Sequence, residues 1–160
     1  MFSSNYAMLV MMNLSLIHIA GSAQAKDGTE PLVQNYLERC SAFAKCHTES
    51  FRSESAFLEW VHKQQGRTPV VSVLLDSRGK QMSSEAFAVW VGARRDEGAQ
   101  HIVVAIGPAD GWTEAALKSA RMTLSFGPMT LAHSLARLVA AEQIYRAYTI
   151  LSGHPYHTGH

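Results

Sequence analysis

The chain has 160 residues, 47% of them apolar and 17% charged, with a formal net charge of +1. This is enough chain for one domain with a full hydrophobic core, and too apolar for an intrinsically disordered protein. Charge alone gives no reason to expect a nucleic-acid partner, and Cys40 and Cys46, with His47 adjacent, match no zinc spacing and read as reduced thiols.

In chain order, "MLVMMNLSLIHIAGSAQA" imitates a secretory signal and its cleavage site. No Lys or Arg precedes it, however, and the first basic residue is Lys26. A short β-branched run stopped by Gly21 suits a buried first strand within "NLSLIHIAG", and it is too short and too polar for a membrane span. Residues 1–11 then form an N-terminal extension, Met12 is a candidate start, and residues 12–160 form a single domain.

A loop precedes a helix expected over residues 30–44, its stripe made by Leu32, Val33, Tyr36, Leu37 and Cys40. "CHTESFRSES" is polar and irregular, with room for a short edge strand. Residues 54–65 read as an amphipathic helix through Phe57, Leu58 and Val61, ended by Gly66. "TPVVSVLLD" reads as a strand and "SRGKQMSSE" as a loop, with Ser83 or Ser84 capping a helix over residues 85–95. "HIVVAIG" is the next strand, residues 113–120 a short helix, "RMTLSF" a last strand, and a long helix follows "GPMT". Nearly continuous apolar strands alternating with helices predict an α/β fold with a mostly parallel sheet flanked by helices.

Ligands of such sheets bind beyond the carboxyl ends of the strands. Three exits stand out: Leu75-Asp76, the turn from Gly107 to Gly111, and the run Phe126, Gly127, Pro128, Met129, Thr130, Leu131. Gly107, Gly111 and Gly127 let backbone approach a ligand closely. None of the three has P-loop spacing or a Gly-x-Gly-x-x-Gly. They read as tight turns, or as a pocket for a neutral or zwitterionic adenosine-type ligand.

The last helix carries Leu131, Leu135, Leu138, Val139, Ile144, Tyr145 and Tyr148 around much of its cylinder. A helix apolar all round is buried on more than one side, here by its own sheet and by a second copy of the chain. His133 and Arg137 share a face, as do Glu142 and Arg146, through intrahelical pairing or through function. In "HPYHTGH" the residues His154, His157 and His160 are three apart, but Pro155 and Gly159 break any helix that would aim them together, so no metal is expected. His and Tyr on a terminal tail suit contact with a base.

The segments "LDSRGKQMSSEAFA", "VVAIGPADG" and "LSFGPMTLAHSLARLVAAEQIYRAYTILSGHPYH" resemble the RlmH (YbeA-like) family. These are SPOUT-class methyltransferases that modify a pseudouridine of bacterial 23S ribosomal RNA at ring nitrogen 3. The resemblance is dense over residues 74–157 and fainter over 12–73. It implies a C-terminal trefoil knot, a cytoplasmic homodimer packed through the last helix, and an S-adenosyl-L-methionine pocket. That pocket would fall on Leu75, Gly107, Phe126, Gly127, Pro128, Met129, Thr130 and Leu131. It further implies catalytic parts for His157 and Tyr156, with His133 and Glu142 organising the helix, and RNA contacts for Arg137, Arg146, His154 and Tyr156. Two positions depart from the family pattern. Pro108 removes a backbone N–H where the family has a second Gly, and Thr158 replaces a cation after His157. The rival readings are a SPOUT enzyme acting on another RNA and, more distantly, a secreted binding protein without activity.

Overall fold

A computed structural model describes residues 11–19 and 26–158. All but one residue of the expected extension over 1–11 lies outside these, as does His160. Five strands, β1 (Asn13–Ile19), β2 (Lys45–Phe51), β3 (Val70–Gln81), β4 (His101–Ile106) and β5 (Met122–Ser125), form one sheet in the order β2-β1-β4-β3-β5, every pairing parallel. Five helices connect or follow them: α1 (Thr29–Cys40), α2 (Glu54–Gln64), α3 (Ser84–Asp96), α4 (Glu114–Ser119) and α5 (His133–Ser152).

The two faces of the sheet carry separate cores, as the period-2 alternation of strands requires. Leu14 and Leu16 of β1 pack with Val33 and Leu37 of α1, Phe87 and Val91 of α3, and Ala141 and Ile144 of α5. Ile17 and Ile19 point the other way, onto Phe57 of α2 and Trp112 and Ala116 beside and within α4. Cys40 is a free, buried thiol of the first core, and its contact with the Cys46 thiol, together with burial, raises its pKa. The predicted parallel sheet covered on both faces is the one observed.

The expected bounds of α1 and β3 needed correction. Helix α1 stops at Cys40, because Ser41 turns its hydroxyl onto the Glu38 carbonyl and Phe43 and Ala44 both donate to the Cys40 carbonyl. The edge strand for which the polar segment left room is present as "KCHTESF", seven residues long and tolerable because only one of its sides is paired, to β1. Strand β3 runs on to Gln81 through much of the expected loop. Leu75 and Lys80 both register with Leu124, so residues 76–79 bulge out between two rungs. Gly79 permits this: a Cβ there would lie 2.6 Å from the Thr123 carbonyl carbon. Beyond α5, Pro155 opens a 3-10 turn (Pro155–His157) that folds back onto the helix, as Pro suits a first helical position.

Candidate functional site

Strand order and crossover sides place the crevice. The connection from β1 to β2 carries α1 on one face, and that from β4 to β5 carries α4 on the other. β1 and β4 are neighbours, so their carboxyl ends form the switch point where open α/β sheets bind ligands. His18 and Ile19 end one strand and Gly107 follows the other.

The three exits expected to meet a ligand are built differently. At the β3 exit the Leu75 carbonyl accepts the Trp112 indole N–H at 3.1 Å. Beyond it, Asp76 holds Arg78 at 2.8 Å, and Arg78 also donates to the Trp112 carbonyl at 2.8 Å. That guanidinium keeps the Asp76 carboxyl below its ordinary pKa. At the β4 exit Gly107 lies flat against Trp112; an added Cβ would sit 2.7 Å from the indole nitrogen. Gly111 has φ 87° and closes a turn onto the Pro108 carbonyl at 2.8 Å, so Pro108 contributes an acceptor where it lacks a donor. At the β5 exit the Ser125 hydroxyl accepts the Gly127 N–H at 3.0 Å, and Gly127 adopts φ 114°. Pro128, Met129, Thr130 and Leu131 then form an exposed run, Met129 being 84% accessible. Phe126 and Gly127 line a cavity of about 300 Å³ with Met82, Ser84, Phe87 and Val139. Leu75 and Gly107 do not line it; they meet each other through Trp112 instead.

At the start of α5, the His133 ring meets that of His18 edge-on at 5.9 Å between centroids. Burial, then the Arg137 charge, lowers both imidazole pKa values below 6.5. His18 Nδ1, His133 Nε2 and Arg137 Nε are buried without hydrogen-bond partners. Arg137, expected to face phosphate, is only 5% exposed and is ion-paired with Glu30 of α1.

The other end of α5 gathers the tail. Glu142 binds Arg146 at 2.7 Å, one helical turn apart as the spacing predicted. Arg146 donates to His157 Nδ1 at 2.8 Å, and His157 Nε2 lies 2.6 Å from Glu85 of α3. An Arg can only donate, so Nδ1 is the acceptor and the Nε2–H donates to the carboxylate. Tyr156 stands edge-on to Tyr145 at 4.7 Å, with the Arg146 guanidinium 4.9 Å from its ring. Burial, then hydrogen bonding with Tyr36, pushes the Tyr156 hydroxyl up to about 12, so it stays protonated. His154 is exposed and caps the turn, its Nδ1 accepting the Tyr156 N–H at 3.2 Å. Sequence reading missed His18, Glu30, Glu85 and Trp112, whose partners are all remote along the chain. Among the described residues no group of three or more His, Cys, Asp or Glu side chains could hold a metal.

A family model described as "Predicted SPOUT methyltransferase" matches residues 12–157. The chain belongs to the SPOUT methyltransferase family. A protein of Koribacter versatilis (strain Ellin345) named ribosomal RNA large subunit methyltransferase H is 46% identical over 149 residues, covering 93% of this chain and 100% of its own. Its namesake in Rhizobium etli (strain CIAT 652) is 55% identical over 87 residues, 54% of each chain. Among solved structures, a probable methylase family protein from Haemophilus influenzae Rd KW20 superposes with a TM-score of 0.51 at 11% identity, over 95% of this chain and 72% of that one. A probable methyltransferase from Bordetella pertussis Tohama I gives 0.50 at 11% identity, over 89% and 99%. These two likenesses concern the SPOUT fold alone. Membership of a methyltransferase family sets aside the reading as a binding protein without activity.

Proposed function

We propose that this SPOUT methyltransferase moves a methyl group from S-adenosyl-L-methionine to ring nitrogen 3 of a pseudouridine in 23S ribosomal RNA, on the assembled ribosome. The observation that carries this reading is full-length similarity, at 46% identity, to a protein named for large-subunit ribosomal RNA methylation. The near-neutral charge favours a substrate that also offers shape, such as the intact ribosome, over bare RNA.

The strand exits fit such a donor. Runs 107–111 and 126–132 contain no Lys or Arg, which argues against a polyphosphate ligand. They offer instead a glycine pressed on an indole, a left-handed Gly127 with open space beside it, and exposed apolar side chains at Phe126, Met129 and Leu131. When bound, the sulfonium donor supplies an activated methyl group. Leu75, Gly107 and residues 126–131 would hold it, with the C-terminal segment knotted around them. Held geometry provides most of the rate gain.

The ring N–H of the target must lose its proton, and His157 is the base we assign. Its Nε2 carries the proton given to Glu85 and its Nδ1 lone pair is taken by Arg146 in this arrangement, so Arg146 must let go of Nδ1 before the ring can accept a proton. Arg146, His154 and Tyr156 would then meet RNA, while His133 and Glu142 organise α5. Arg137 contributes through its pair with Glu30 unless that pair opens.

A cytoplasmic homodimer packed through α5 completes the reading. Leu135 and Val139 are exposed on that helix, beside the exposed Leu131, in a single protomer. No helix among the described residues is long and apolar enough to cross a membrane.

The test is methyl transfer to purified ribosomes, with the product nucleoside mapped by mass spectrometry. The reading requires 3-methylpseudouridine in 23S RNA; a methyl group on another nucleoside would overturn the substrate assignment. His157→Ala should lose about a hundredfold in turnover with donor binding kept. Full activity in that variant would remove His157 as the base.

A further inference from the structure

Helix α5 begins without the usual means of satisfying its first turn. Its N-cap is Ala132, no side chain caps it, and its first turn holds no acidic residue. A helix N-terminus leaves four backbone N–H groups unpaired and carries partial positive charge. Here the run 126–132, which leads into that turn, is also exposed and apolar.

Acidic groups reach this end of α5 from another element. In the first turn of α1 and just before it, Asp27 and Glu30 lie 107 residues away in sequence from the groups they hold. Asp27 Oδ2 accepts the Ser134 hydroxyl at 2.5 Å, while its Oδ1 is fixed by the Thr29 hydroxyl at 2.7 Å and the Thr29 N–H at 3.1 Å. Glu30 pairs with Arg137 through both carboxylate oxygens, and Gln34 braces Oε1 at 2.8 Å. Both contacts therefore land within the first five residues of α5, directly after the loop. Loop 126–132 thus hangs between a fixed strand, β5, and a helix start fastened to α1.

We infer that Asp27 and Glu30 are positioning residues for methyl transfer: they clamp the start of α5 and so set the shape of the loop that receives the donor. This rests on the proposal that residues 126–131 hold S-adenosyl-L-methionine. The clamp acts through Ser134 and Arg137 and touches no reacting atom. It also explains why a charged Arg137 is buried beside two neutral imidazoles: its task is to join two helices.

The full-length chain and its variants Asp27→Asn, Glu30→Gln and Glu30→Arg/Arg137→Glu are titrated calorimetrically with S-adenosyl-L-methionine, assayed for methyl transfer, and followed by amide hydrogen exchange. Glu30→Gln should weaken donor binding about tenfold and raise the donor KM, with kcat within about twofold. Asp27→Asn should weaken it about threefold, and the swapped pair should recover most of the loss. Exchange should quicken over residues 126–134 and not over β2. Donor affinity within twofold of the unsubstituted chain in both single variants, or unchanged exchange over 126–134, overturns the inference. If Glu30→Gln gives no cooperative melt, Asp27→Asn, at an exposed carboxylate, decides alone. An unsubstituted chain that binds no donor overturns the functional reading and with it the positioning role, while exchange still decides whether the clamp exists.

Discussion

Two histidine pairs sit at opposite ends of β1, and the contrast between them distinguishes an end of the sheet whose polar groups are paired from one where they are not. At the amino end, His47 and His101 flank the buried Ser15 hydroxyl, their Nε2 atoms 2.9 and 2.7 Å from its Oγ. A hydroxyl donates once and accepts twice, so it can serve both rings at once, and each of these two ring nitrogens has its partner. At the carboxyl end, His18 and His133 meet edge-on and each leaves a ring nitrogen buried and unpartnered. The unsatisfied pair stands at the switch point, beside Gly107 and the expected donor loop. Polar groups left unpaired in a native interior are costly, and they cluster where structure serves chemistry rather than stability.

The sharpest way to break this contrast is Gly107→Ala. The new methyl meets Trp112 at 2.7 Å, so the indole must move and release the Leu75 carbonyl. Methyl transfer should fall about a hundredfold, read by single-turnover assay. Ser15→Ala, at the other end, should cost about 1 to 3 kcal/mol of stability by denaturant titration and leave turnover within twofold. Smaller still is the pH effect. His18 and His133 have folded pKa values below 6.5, so the unfolded chain takes up protons first as pH falls. Their contribution is intact above about pH 6.5 and is lost progressively below it; His18→Leu should flatten the slope of stability between pH 7 and 5. An unchanged slope would mean that Arg137, His133 and Glu30, the charged and titratable groups facing His18, compensate fully.

The tail teaches a related lesson. Pro155 breaks regular helix, and on that ground no helix was expected to aim His154, His157 and His160 together. The fold gives Pro155 a place at the start of a tight turn, with His157 held between Arg146 and Glu85. Local chemistry was right about the helix end and silent about Glu85, which lies 72 residues away. The same holds for Arg137. Its spacing from His133 was legible, but the partner that decides its role is Glu30, on another helix.

By itself, the order of residues determined the alternation of strands and helices, the parallel sheet covered on both faces, a serine cap at Ser83 or Ser84, and three strand exits, two of them glycine-bearing. These are local properties: periodicity, backbone freedom and capping act within a few residues. Only tertiary structure decided that β3 continues past its bulge, that α1 fastens the start of α5, and that the two histidine pairs differ in satisfaction. Those outcomes depend on which groups meet across the fold, and pairings between residues far apart in sequence leave no local trace.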